Sequence, residues 1–361
     1  MPDAAKVAAP GVSFRKTANR KVFTGGRFMR RISKFIFLTK AATRLPDGAK
    51  TARRLLIAAV FLVGVTPGMV WACACGCGVF EVATPSLLPM GAGAMTWIEY
   101  DFMNQYINWH ATQPASGSYN NDKKLATNFV TVGGQYMFNR SWGVMSEVPY
   151  WERNYRGAYN GDNDDVKSYD SNSIGDIRIL GMWTGLQEDM STGVLAGFKV
   201  PSGNWHYPPW DRDTQIGTGS TDLLVGLYHI GTLPIVKLED RPFGYYVQGM
   251  YDQPFAYQDH YKPGREFDTG YGTYYDFGKV SYLTEFAPFL TFLLSDRNHD
   301  RGTNSDPHDS GYFRIQVAPG LETAYKSIRW YSDVELPIFR NMNGYQLSAP
   351  YAIKTIVSYS F

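Results

Sequence analysis

The chain has 361 residues, 15% of them aromatic with 25 Tyr and 9 Trp, yet its mean hydropathy is only −0.28. A helical membrane protein would carry several apolar runs of about 20 residues; one candidate exists here, near the N-terminus, and that class is excluded. The net charge of +2 is split: residues 1–54 hold 14 Lys/Arg against 2 Asp/Glu, leaving 21 basic and 31 acidic residues for the rest. A basic leader on an acidic body is the pattern of an exported protein, not of a nucleic-acid binder.

Arg53 and Arg54 precede "LLIAAVFLVGV" (55–65), and Pro67-Gly68 and "MVWACAC" follow. A positive segment, a short apolar run and small residues at a cleavage site make a signal peptide, cut near 72–74. Residues 1–72 are therefore read as leader and signal peptide, 73–92 as a short periplasmic Cys-rich segment and 93–361 as the body. The translation start is either Met1 or Met29, which opens "MRRISKFIF".

"WACACGCGVFEV" holds all three cysteines, Cys73, Cys75 and Cys77. Exported cysteines are usually paired, but neighbours at C-x-C spacing make only a strained disulfide. Three readings stay open. Cys73 is diacylated, although Trp71 fits a lipobox badly. The thiolates hold a soft metal such as Cu(I) or Zn. The segment is structural, capping the periplasmic mouth or forming a disulfide.

Beyond residue 92 the chain alternates with a period of two. "IRWYSDVELPI" puts Ile328, Trp330, Val334, Leu336 and Ile338 on one face and Arg329, Tyr331, Asp333 and Glu335 on the other. "FRIQVAPG" sets Phe313, Ile315 and Val317 against Arg314 and Gln316, and "GDIRILGMW" sets Ile177, Ile179 and Trp183 against Asp176 and Arg178. The pattern predicts about twelve strands (10–14), near 94–109, 125–139, 143–155, 173–186, 192–203, 219–231, 242–255, 267–282, 284–296, 309–322, 325–339 and 346–361. Long strands with apolar-out, polar-in alternation are the mark of a transmembrane barrel, and only a closed barrel pairs every backbone amide in lipid. The fold class expected is all-β, a closed antiparallel transmembrane β-barrel in the outer membrane of a Gram-negative bacterium, with the N-terminus periplasmic.

Tight turns at "NRSWG" (139–143) and near 187–191 and 322–326 contrast with long loops at 157–173, 202–219, 256–268 and 296–311. Short turns on one rim and long acidic loops on the other match periplasmic and extracellular ends. The last run, "YAIKTIVSYSF", alternates up to a terminal phenylalanine. Phe361, Tyr359 and Val357 read as the C-terminal signal that the barrel-assembly machinery takes, on a last strand that pairs with the first.

"SNSIGDIRILGMW" (171–183) and "GTGSTDLLVGLY" (217–228) resemble paired-strand motifs of the outer-membrane channels grouped as the "MetA-pathway of phenol degradation" family. The resemblance covers roughly 95–361. It implies a barrel and a role in passing small, hydrophobic or aromatic molecules, and it brings no catalytic residues; the Cys-rich segment departs from the family pattern.

A charge facing lipid at the midplane costs about 2–4 kcal/mol for Arg or Lys. Glu99, Asp101, Glu147, Arg153, Asp176, Arg178, Lys199, Arg314, Arg329, Asp333, Glu335 and Lys354, all on polar strand faces, are therefore expected to line the lumen, either around an open path or as a salt-bridged filling. "DRNHDRG" spaces Asp296, Asn298 and Asp300 like the start of a calcium loop, but Gly302 comes one place late and no Glu follows at the twelfth position. It reads as a solvated loop with at most adventitious Ca²⁺. The six histidines form no H-x-x-x-H or H-E-x-x-H pattern, and an outer-membrane phospholipase would need an H-x-S-N-G-like motif that this chain lacks. The expectation is a non-enzyme: a channel for small solutes, without cofactor, whose partners are outer-membrane lipid, the assembly machinery and the solute. The alternative is a metal-handling or binding protein that works through Cys73–Cys77 with the barrel as anchor or exporter.

Overall fold

The structure, a computed structural model, describes Thr84, residues 87–89 and residues 91–361 apart from 160–161, 209, 211 and 239–240. The leader, the cleavage site and the three cysteines lie outside the described residues. The body is built of β1 (Gly93–Gln105), β2 (Ile107–Ala111), β3 (Gln113–Pro114), β4 (Asp122–Met137), β5 (Trp142–Tyr159), β6 (Asp162–Ile174), β7 (Ile177–Trp183), β8 (Thr192–Val200), β9 (Ser220–Leu238), β10 (Arg241–Tyr257), β11 (Glu266–Tyr274), β12 (Glu285–Arg297), β13 (Tyr312–Tyr325), β14 (Ile328–Ser348) and β15 (Ala352–Ser360).

These close into an antiparallel barrel of twelve wall strands. β6 and β7 are the upper and lower halves of one wall strand, both paired to β5 and separated at Gly175-Asp176. β2 and β3 sit above the wall, on the upper part of β14. The last strand closes on the first, from Met95↔Ser360 to Met103↔Ala352, and the Phe361 amide donates to the Ala94 carbonyl at 2.9 Å. Closure leaves no edge to satisfy, which is what lipid demands of a sheet.

The alternation sorts the side chains. Ile98, Val132, Ile179, Leu227 and Ile338 are each more than half exposed on the outer face. Trp142, Trp330, Tyr359 and Phe361 stand near the short-turn rim, with Tyr359 and Phe361 edge to face at 4.8 Å between ring centroids. An apolar band with aromatics at its border is the exterior of a membrane barrel. The short turns have local causes: the Asn139 side chain accepts from the Ser141 and Trp142 amides at 2.8 and 3.0 Å, and Asp189 accepts from the Ser191 amide at 3.0 Å. Both are Asx turns, in which a short polar side chain replaces a backbone acceptor.

All twelve expected strands are present, though the one expected over 267–282 stops at Tyr274; three further differences stand out. The 157–173 segment is not an irregular loop but the tip of a hairpin, because β5 and β6 stay paired from Tyr150↔Ile174 to Tyr159↔Asp162. The first strand is interrupted at Tyr106, beyond which β2 leaves the wall to pair with β14. Residues 346–348, expected in the last strand, complete β14 instead.

Candidate functional site

The barrel interior is arranged in levels, set by which residues fall on the inward side of each strand. Near the short-turn rim it is apolar and rich in methionine. Met95, Met137, Met145, Met182, Leu195 and Met250 belong to one buried cluster that also includes Trp97 and Phe289. Leu87 and Leu88, 1% and 2% exposed, join the same cluster from the segment that precedes β1. Leu88 faces a cavity of about 20 Å³ together with Met145, Glu147, Arg178, Leu180, Leu224 and Met250, so Leu87 and Leu88 pack inside the barrel, next to the charged level. A cavity of that size holds no more than a water or two.

Above the methionines the interior is charged. Lys354 Nζ lies 3.3 Å from Glu99 Oε1 and 3.9 Å from Asp101 Oδ1. Asp333 is the register partner of Lys354 and accepts from the Tyr331 hydroxyl at 2.6 Å. Glu335, two residues on, accepts from Gln316 Nε2 at 3.1 Å. Across the barrel Lys199 Nζ reaches Asp222 and Asp252 at 2.7 Å each. Arg178 faces Glu147 at 3.6 Å. Lower down, at the short-turn end of β14, Arg329 pairs with Glu285 at 2.9 Å and with Glu322. The Arg314 guanidinium stands 4.7 Å from the Tyr312 ring centroid. A second cavity, about 30 Å³, borders Arg314, Gln316, Glu335 and Arg340. Each cation has carboxylates or an aromatic face beside it, as desolvated charges require.

Two of the twelve charges have another occupation. Arg153, 1% exposed, donates through Nη1 to the Thr214 and Gln215 carbonyls at 2.6 and 2.7 Å. Asp176, at the break between β6 and β7, accepts from the Gly203 amide at 3.0 Å and from the Thr218 amide and hydroxyl at 2.8 and 2.6 Å. Together they draw the 201–219 loop onto the inner wall. Of the remaining ten, nine fall at or beside the charged level: Glu99, Asp101, Asp333, Glu335 and Lys354 come together at the seam, Glu147 with Arg178, and Lys199 and Arg314 at two further places; Arg329 lies lower, near the short-turn rim. Their partners Asp222, Asp252, Glu285 and Glu322 were missed in the sequence. The same alternation was available for them, since each lies in a wall strand and two positions from another inward-facing residue.

The long-loop end carries an open cavity of about 570 Å³. Tyr119, 65% exposed, stacks on Tyr345 with ring centroids 5.0 Å apart and planes at 26°. Arg212 is held between the Trp205 and Tyr261 rings, 4.9 and 4.5 Å from their centroids, and faces Asp259 at 3.8 Å. The Tyr345 amide donates to Asp309 Oδ1 at 2.6 Å. Asp309 lies outside the barrel wall, and burial pushes its carboxyl above the ordinary range. In the former calcium-like stretch, Asp300 is occupied: its oxygens accept from the Tyr261 hydroxyl, the Gly264 amide and Arg297, each at 2.7 Å. Among the described residues no group of three or more His, Cys, Asp or Glu is gathered as a metal site.

No protein-family model matches the sequence, and no protein of curated function matches it either. Solved structures do share its shape. The COG4313 outer membrane channel from Pseudomonas putida F1 superposes with a TM-score of 0.57 over 78% of this chain and 100% of its own, at 11% identity. The β domain of the Bordetella autotransporter BrkA gives 0.45 over 74% and 100%, at 10% identity. The monoaromatic hydrocarbon channel CymD gives 0.36 over 76% and 90%, also at 10%. The first of these shares the fold, that of an outer-membrane barrel; the other two are too distant to argue from.

Proposed function

We propose that the protein is an outer-membrane channel for small solutes, held closed in this conformation by its own N-terminal segment. The observation that carries the reading is the level of paired charges of both signs inside a closed barrel, directly above the apolar sleeve that Leu87 and Leu88 fill. A barrel built only as an anchor has no use for buried charges, which are costly to desolvate. In a channel they set which solutes pass. The nine charges at that level, with Arg329 below them, would line the path once the sleeve is vacated, while Arg153 and Asp176 shape its outer mouth through the 201–219 loop.

A periplasmic N-terminus is supported by Leu87 and Leu88, which lie in the apolar cluster near the short-turn rim. In this reading 1–72 is removed on export, 73–92 is the tether of the plug, and Phe361, Tyr359 and Val357 serve in assembly. Aromatic compounds are the solute class suggested by the resemblance of 171–183 and 217–228 to the phenol-degradation channels. Cys73, Cys75 and Cys77 sit on the tether, where an oxidised or metal-bound state would restrict the plug.

The test is single-channel conductance in planar bilayers. Discrete steps whose ion selectivity shifts when Arg314, Arg329 and Asp333 are neutralised together are expected. A selectivity that ignores those three substitutions would overturn the assignment of the charged level to the path.

A further inference from the structure

We infer that the solute is an organic cation, an ammonium in chemical class, and that the cavity at the long-loop end is where it binds first. Binding there stands apart from the channel reading; onward passage rests on it. The cavity is about 570 Å³, a size that small molecules occupy. Among the described residues its border carries Asp122, Asp213, Asp306 and Asp309 against one guanidinium, that of Arg212.

The charge balance selects the sign, and its layout selects the kind of cation. Arg212 is already enclosed by the Trp205 and Tyr261 rings and faces a further carboxylate, Asp259. Lys123, next to Asp122 in the chain, turns its ammonium to the Gly117 and Asn120 carbonyls and does not border the cavity. Asp306 and Asp309 each take one backbone amide through Oδ1, from His308 and Tyr345, whereas a carboxylate accepts about four hydrogen bonds. A concave surface of one sign raises the local concentration of the opposite sign. A metal ion needs its oxygens drawn together around one point. Among the described residues no three acidic groups are so gathered. Carboxylates set around a molecule-sized space suit a cation of matching size.

The stacked tyrosines are a second, independent indication. Tyr119 and Tyr345 both border the cavity with ring centroids 5.0 Å apart, and Tyr119 is 65% exposed. An ammonium is attracted to the face of such a ring, and an aromatic or alkyl substituent on it packs there at the same time. The interior repeats the sign. Glu99, Asp101, Asp333 and Glu335 meet at the seam around Lys354. Asp101 is 1% exposed and accepts no hydrogen bond through either oxygen. A buried carboxylate without a donor leaves acceptor capacity for a passing ammonium.

Titration calorimetry on the purified full chain near neutral pH, in a polyoxyethylene detergent without charged headgroups, tests the site. Phenethylammonium, spermidine and tetramethylammonium are the probes. Phenethyl alcohol and benzoate, neutral and anionic relatives of the first, are the comparisons. Saturable binding of at least one ammonium is expected, with none of the comparisons. Asp306→Asn together with Asp309→Asn should weaken it about tenfold, and Tyr119→Ala about threefold, the worth of two charge contacts and of one exposed cation–π contact. Heat-modifiability on gels confirms that the variants are folded. Asp306 and Tyr119 are exposed, so their single variants keep the test decisive even where Asp309→Asn misfolds. No saturable ammonium binding, equal binding of phenethyl alcohol, or binding insensitive to the Asp substitutions would each overturn the inference. Passage is read from reversal potentials across a potassium chloride gradient, where a preference for the cation is expected. An anion-preferring current would reject the cationic solute and leave the channel; ammonium binding to a barrel that never conducts would reject the channel and leave the site.

Discussion

Lys354 Nζ lies 3.3 Å from Glu99 Oε1 across the seam where the last strand meets the first. Glu99, Asp101, Asp333 and Glu335 approach this seam from β1 and β14, and Lys354 is the cation on β15 between them. Removing it leaves buried carboxylates facing one another at the place where the barrel closes. Breaking a buried ion pair from one side costs about 3–5 kcal/mol. Lys354→Met should destabilise the barrel by an amount of that order, read as a shift in the urea midpoint in lipid vesicles. Adding Asp101→Asn should recover part of the loss, since the two sites are in contact and their effects are not additive. A Lys354→Met barrel that unfolds at the wild-type midpoint would show that the seam does not rely on this charge.

The plug makes a second prediction. Leu87 and Leu88 are almost wholly buried among methionines, and truncating a buried leucine costs about 2–5 kcal/mol when it is well packed. That loss falls on the docked state of the segment, not on the barrel wall, whose strands stay paired without it. The double variant Leu87→Ala, Leu88→Ala should keep its heat-modifiable mobility and show longer or more frequent conducting events in planar bilayers. Unchanged currents in a folded double variant would mean that the bore is blocked elsewhere.

The wall was legible in the sequence because a period of two is imposed on every strand by one physical demand, lipid outside and a packed polar interior. Phe361 could be placed for the same reason, as the end of a strand that has to pair. What stayed hidden depends on contacts between distant segments. Arg153 and Asp176 look like ordinary inward charges on their strands; their engagement with Thr214, Gln215, Gly203 and Thr218 depends on how the 201–219 loop folds back. Leu87 and Leu88 have no periodicity to announce them, and only the open bore beside them gives them a place. The 157–173 segment was misread because Asp, Asn and Gly are common in loops, whereas the pairing of β5 with β6 outweighs their weak strand preference.

Gly133 offers a packing test inside the wall. It faces Trp97 across the β1–β4 pair, and a Cβ built on it would fall within the indole ring. The indole is 2% exposed and has little room to yield. Gly133→Ala should therefore destabilise the barrel by about 1–3 kcal/mol, the usual cost of overpacking. In a Trp97→Ala background the same methyl enters vacant space, and the penalty should vanish. A penalty that persists without the indole would place the strain in the backbone instead. Urea unfolding of the four variants measures both terms.

Asp309 ties the outer cavity to pH. Its carboxyl is raised above the ordinary value of 3.8, with burial as the main cause and the hydrogen bond from the Tyr345 amide opposing it. A carboxyl raised on folding means that the folded protein holds a proton which the unfolded chain has already released. Between 3.8 and the raised value the folded state binds more protons, so this group's contribution to stability declines as pH rises through that window. Deprotonation at the same time strengthens the acceptor for the Tyr345 amide, 2.6 Å away. The Tyr345 amide resonance should therefore move with pH, with a midpoint above 3.8, and the movement should disappear in Asp309→Asn. A Tyr345 resonance that titrates at or below 3.8 would show that Asp309 is no more buried in solution than a surface carboxylate.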